Sequence, residues 1–139
     1  MKLDALNGLK VKHVAIGRCS IHILCDDGQV YGWGANTYGQ LFAEDLKLVQ
    51  RNPVNLTSKI PETVVKIESG AFHTLFLTAN NKVFGIGDQS YGQLGTAAKQ
   101  QFSTLTELKF ETPSSEVIRD ISCGSLFSCA LVGPSDSDF

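Results

Sequence analysis

One stretch of this chain recurs at a fixed interval, and that repetition limits the fold more than any other property of the sequence. Gly17-Arg18-Cys19-Ser20-Ile21-His22-Ile23-Leu24 aligns with Gly70-Ala71-Phe72-His73-Thr74-Leu75-Phe76-Leu77 at an offset of 53 residues. At the same offset Val30 meets Val83, Tyr31 meets Phe84, and Gly32 and Gly34 meet Gly85 and Gly87. Tyr38-Gly39-Gln40-Leu41 meets Tyr91-Gly92-Gln93-Leu94 letter for letter, and upstream Val11 and Val14 meet Val64 and Ile67. A third copy opens at an offset of 54 from the second, with Ile118, Ile121, Gly124 and Leu131 on Val64, Ile67, Gly70 and Leu77, and the match stops at Val132. A period of this size marks a repeat architecture, in which each unit buries its apolar faces on its neighbours. The units run over about 11–63, 64–117 and a truncated 118–132, with 133–139 as a polar tail, in one repeat region covering 1–139.

Each unit reads as strands. Ser20 to Cys25 and His73 to Thr78 are short and rich in aliphatic and β-branched residues, as strands require. Asp26-Asp27-Gly28-Gln29 and Ala79-Asn80-Asn81-Lys82 are predicted hairpin turns, with Gly or Asn where the chain must take a positive φ. Gln29 to Trp33 and Lys82 to Ile86 are the return strands; Pro53 to Leu56 and Thr104 to Leu108 are further strands reached across polar loops. No segment carries a sustained helical period. Several short strands per unit, marked once per unit by glycines and aromatics, describe a propeller blade.

The motif Val-x-x-Ile/Val-x-x-Gly, a strand, a tight turn, then Val30-Tyr31-Gly32-Trp33-Gly34-Ala35-Asn36-Thr37-Tyr38-Gly39-Gln40-Leu41 resembles the regulator of chromosome condensation (RCC1) repeat. Residues 28–41 match closely, 64–95 match over a full unit, and Ile118 to Val132 match its opening. Departures are Ile86 and Gln89 where the first copy has Trp33 and Asn36, Phe42 where the second has Gly95, and Ser20 where the second has His73. The resemblance implies an all-β fold of four-stranded blades around an axis, seven in a complete ring. Two to three blades are encoded here, an incomplete ring, with Leu3 to Leu6 as a candidate last strand of a preceding blade. The expectation is a chain that does not stand alone, because propellers remove exposed edges by closing. Another protein chain, or missing blades, would cover the open edges.

Little in the sequence points to chemistry. Gly34 to Gln40 and Gly87 to Gln93 have the glycine spacing of a phosphate loop but place Gln where Lys must stand, so they read as tight turns. His13, His22 and His73 lack partners at ligand spacing; His73 reads as a blade-packing residue and His22, in the place of Leu75, as partly exposed. Asp26-Asp27 is turn chemistry, and no G-x-S-x-G elbow occurs. Cys19, Cys25, Cys123 and Cys129 read as free buried thiols of a reducing, intracellular compartment, cytoplasmic or nuclear; the Asn55-Leu56-Thr57 sequon then stays idle. No catalytic, cofactor-binding or metal-binding residue is expected. Lys and Arg are scattered and the net charge is −2, so direct nucleic-acid binding has no local support, and no apolar run is long enough to span a membrane.

The leading expectation is therefore a non-enzymatic protein–protein interaction scaffold within a larger assembly or a longer or split propeller. The alternative implied by the resemblance is a guanine-nucleotide exchange factor for a small GTPase of the Ran type, with chromatin association. Inhibition of an enzyme by a propeller face is a third reading, weakened by the lack of a secretory signal. Trp33, Tyr38 and Tyr91 are expected to pack blade to blade, while Phe42 to Asn52 and Thr96 to Ser103, which differ most between copies, are the candidate contact loops.

Overall fold

The computed structural model describes residues 4–42, 48–97 and 104–135. The two full repeats each form a four-stranded antiparallel meander. The first contains β1 (Val11–Ile16), β2 (Ser20–Cys25), β3 (Val30–Ala35) and β4 (Val49–Asn55), and the second β5 (Val64–Ser69), β6 (His73–Thr78), β7 (Val83–Gly87) and β8 (Thr106–Leu108). The third repeat gives β9 (Glu116–Cys123) paired with β10 (Ser128–Pro134). The strand ladders repeat with the sequence: His22 lies opposite Gly32 in β2–β3, as Leu75 lies opposite Gly85 in β6–β7.

Both predicted hairpins form, with Gly28 at φ 85° and Asn81 at φ 59° in the places that need a left-handed residue. Some boundaries move. β4 starts four residues before Pro53, because its early residues pair with Gly34 and Ala35. β9 starts at Glu116 and β10 runs through Gly133 and Pro134, so the first residues assigned to the polar tail are strand; 136–139 lie outside the described residues. The candidate strand at Leu3 to Leu6 is not one: Asp4–Leu6 is a 3-10 turn. There the carbonyl of Asp4 accepts from the backbone N–H of Asn7, and its carboxylate from the Asn7 amide, a local pairing that competes with a ladder. Leu3 lies outside the described residues.

The sheets stack face on face, and alternation decides which side chain goes where. All six residues of β6 are buried because the second sheet is covered on both sides. Phe76 enters a core between the first and second sheets with Leu24, Val30, Leu41, Ile67 and Phe84. Its neighbours Leu75 and Leu77 point the other way, into a core with Val83, Leu94, Ile118 and Ile121. The innermost strands β1, β5 and β9 come together on one side, where the Val-x-x-Ile/Val-x-x-Gly glycines allow main chains to meet. A Cβ on Gly17 would lie 2.5 Å from the Gly70 carbonyl oxygen, and one on Gly70 would lie 2.7 Å from that of Gly124.

Candidate interaction surface

Polar side chains bind each sheet to the next. His13 on β1 reaches the Ile67 carbonyl at 2.8 Å, and Lys66, its equivalent on β5, donates to the Ile121 carbonyl at 3.1 Å. Lys66 also donates to Asp120 and pairs with Glu68. Burial opposes the Lys66 charge, but Asp120 and Glu68 outweigh it and hold its pKa above the ordinary value. Farther out, His22 bonds Ser69 at 3.2 Å and the Gln40 carbonyl at 3.1 Å, while His73 bonds Ser128 at 2.9 Å. The sequence reading of His73 as a packing residue holds. His22 is a correction: it is fully buried, because the first sheet presents it to the second at the junction. Burial drives the His22 pKa down to about 4, against a smaller opposing effect of the Gln40 carbonyl.

In a meander, successive connections alternate between the two ends of the sheet, so the molecule has two rims. One carries the hairpins at 26–29 and 79–82 and the links between sheets; the other carries the β1–β2, β5–β6 and β9–β10 turns together with the glycine-rich turns. On the hairpin rim a cleft of about 540 Å³ lies between the first two sheets, lined among others by Asp27, Thr57, Ile60 and Glu62. The Glu62 carboxylate there already accepts from Thr78 and Lys82.

On the opposite rim, the glycine-rich turns turn their polar groups on themselves. The Tyr38 N–H is taken by the Gln40 side-chain oxygen, the Gly39 N–H by the Asn36 carbonyl, and the Leu41 N–H by the Asn36 side chain. The Tyr91 and Gly92 N–H groups are used in the same way. The copies differ in what the buried Gln40 and Gln93 amides meet. Gln93 donates its amide to Asp88, which takes further bonds from Ser90. Burial works to raise the Asp88 pKa, but these bonds outweigh it and keep the carboxyl below its usual range. Ala35 stands in the place of Asp88 in the first copy, and the buried Gln40 Nε2 has no partner there.

The same rim carries an aromatic contact between the first two sheets. Tyr38 packs on Phe72 of the next sheet with ring centroids 4.8 Å apart, and the Arg18 guanidinium lies 5.6 Å from the Phe72 ring centre. Tyr91, expected to pack like Tyr38, is 74% exposed: Leu126 holds the position equivalent to Phe72 and offers no ring. Trp33 is half-buried. Of the candidate contact loops, 43–47 and 98–103 lie outside the described residues; Leu48 and Val49 are exposed, and Phe42 turns inward onto Phe76 at 5.4 Å. Arg18 and Phe72 escaped sequence reasoning, although Ala71 and Cys19 at the matching positions mark them as choices the repeat does not impose.

Among the described residues no group of three or more His, Cys, Asp and Glu is placed to hold a metal ion. The four cysteines are free, but only Cys25 is fully buried; Cys123 is partly so, its pKa pushed up to about 12 by burial, and Cys19 and Cys129 are exposed. Cys19 lies in a rim turn and Cys129 on the β10 face away from the second sheet, which corrects the reading of all four as buried. No helix among the described residues is long and apolar enough to cross a membrane.

Radially stacked antiparallel meanders of this kind are blades of a β-propeller. The regulator of chromosome condensation (RCC1) repeat pattern matches residues 27–77 and 80–131, and a second pattern of the same repeat matches 11–40 and 64–93. The chain belongs to the RCC1 repeat family. It is 32% identical over 133 residues to the protein RCC2 homolog of Xenopus laevis, covering 94% of this chain and 25% of that relative. Among solved structures it superposes on yeast RCC1 (Prp20), determined bound to Kap60, with a TM-score of 0.80 at 18% identity, over 95% of this chain and 32% of that one. A Saccharomyces cerevisiae Prp20p structure, described with its binding properties to Gsp1p and histones, gives a TM-score of 0.72 at 19% identity over 33% of its length. The chain thus spans about a quarter of the curated relative and a third of the solved chains.

Proposed function

We propose that this chain is a non-enzymatic protein–protein interaction module of an intracellular propeller assembly, whose outer sheets are covered by further blades or by another polypeptide. The observation that carries this reading is the division of labour within the repeat. Positions shared by the copies build the strands' apolar cores and the glycine-rich turns, while positions that differ put Arg18 and Phe72 on one rim and add the exposed side chains of Leu48 and Val49. Aromatic and arginine side chains on a fixed scaffold are the composition of binding hot spots. Affinity purification of the tagged chain after cross-linking in cells, read by mass spectrometry, tests it. A partner recovered in stoichiometric amount is the expected result; recovery of none removes the reading.

A second reading is action on a small GTPase, supported by the Gsp1p binding named for Prp20p. Two full blades and the start of another offer a small surface for it. The chain is expected to leave the nucleotide-release rate of a Ran-type GTPase unchanged; acceleration by the chain alone would reverse the order of the two readings.

A further inference from the structure

We propose that the junction of the first two blades on the glycine-turn rim is a docking point for an acidic segment of a partner protein, with Arg18 as the group that takes its carboxylate. This deepens the interaction-module reading and rests on it. Arg18 sits in the β1–β2 turn and is exposed, yet its guanidinium is not loose: it lies over Phe72, 5.6 Å from the ring centre, within the range of a cation–π contact. Tyr38 packs on the same ring at 4.8 Å and holds it in place. The ion pairs among the described residues are made by His13, Lys66, Lys82 and Lys109, and none by Arg18. Arg18 is thus an exposed guanidinium fork positioned over a ring. A planar fork of this kind matches a carboxylate with two parallel hydrogen bonds.

The repeat supplies an internal control. Tyr38 has its counterpart in Tyr91, so the tyrosine belongs to the scaffold. Arg18 has Ala71 and Ser125 in its place in the other copies, and Phe72 has Cys19 and Leu126. The second junction is built without either residue, so the repeat pattern does not itself require them. Their pairing at one junction alone is what a specific contact would leave behind. A carboxylate is the favoured partner group because the cation is fixed over Phe72 and carries no ion pair with any of the described residues.

The probe is a blocked tetraglutamate peptide titrated into the chain at low ionic strength and followed by amide chemical shifts. Saturable shifts centred on the Arg18 turn, Tyr38 and Phe72 are expected, with no such response to tetralysine. Arg18→Gln should weaken binding about tenfold, in line with loss of a charge-assisted pair. Phe72→Leu, the residue of the third copy, should weaken it several-fold with the charge retained, and Arg18→Lys should restore only part of the loss. Unchanged amide spectra outside the rim show that each variant is folded. Binding by Arg18→Gln within twofold of the parent, shifts centred elsewhere, or no saturable response would each overturn the proposal. Recovery of the same cellular partner by Arg18→Gln would sink the docking point while leaving the interaction-module reading standing.

Discussion

His22 shows how a single side chain sets a property of the whole chain. It is neutral in the folded state because burial drives its pKa to about 4, whereas the unfolded chain titrates near the ordinary 6.5. Between those values the unfolded state takes up a proton that the folded state refuses, so stability falls as the pH drops from 6.5 to 4. The full effect is about 3 kcal/mol. His73, whose pKa burial also lowers, acts in the same direction. Denaturant titrations at pH 7, 5.5 and 4.5 should show this decline. His22→Leu, which installs the residue of the second copy, should be less stable at pH 7, because it breaks the bonds to Ser69 and the Gln40 carbonyl. Its slope over the acid window should be shallower, and an unchanged slope would mean that His22 is not the group responsible.

At the scale of the strand and the sheet, the junction glycine decides how closely blades approach. A methyl group on Gly70 would sit 2.7 Å from the Gly124 carbonyl oxygen and 2.6 Å from His73 Nδ1, so the two sheets would have to part. Gly70→Ala should cost about 1–3 kcal/mol, as overpacking does, measured by urea unfolding. Gly92 is the comparison: it is at φ 79° with open space around it, so Gly92→Ala should cost about 1–2 kcal/mol of backbone strain and leave the sheets undisturbed. The order of the strands was legible in the sequence because turn residues and alternation act locally: Gly28 and Asn81 marked their hairpins, and β2 and β6 lie where the aliphatic runs placed them. The junctions were not legible. Nothing local distinguishes His22, which faces a neighbouring serine, from a half-exposed histidine on a strand, and Arg18 looked like one more scattered cation until Phe72 was beside it. β4 was mispositioned because Val49 to Asn52 are polar or edge-like and owe their strand conformation to pairing with Gly34 and Ala35.

Across the molecule, cohesion is a chain of neighbour contacts, and the middle sheet has twice the cover of either flank. β6 and β7 are buried on both faces, whereas in β9 and β10 only Ile118 and Ile121 are buried, and Leu131 is exposed, as is Phe127 in the turn between them. In such arrays local opening follows the number of covered faces. Amide hydrogens of β9 and β10 should exchange at least about tenfold faster than those of β6, a difference that residue-resolved exchange would measure; equal protection would mean that the sheets open as one unit. The hydroxyl contacts carry a further consequence. His22 and His73 occupy different positions in their repeats, and the serine that receives His22 corresponds to Ile16 in the first copy. A ring assembled from identical copies of the opening module would therefore press an imidazole against an isoleucine at every seam. These modules are keyed to their neighbours, and their sequential order is written into the pairs that join them.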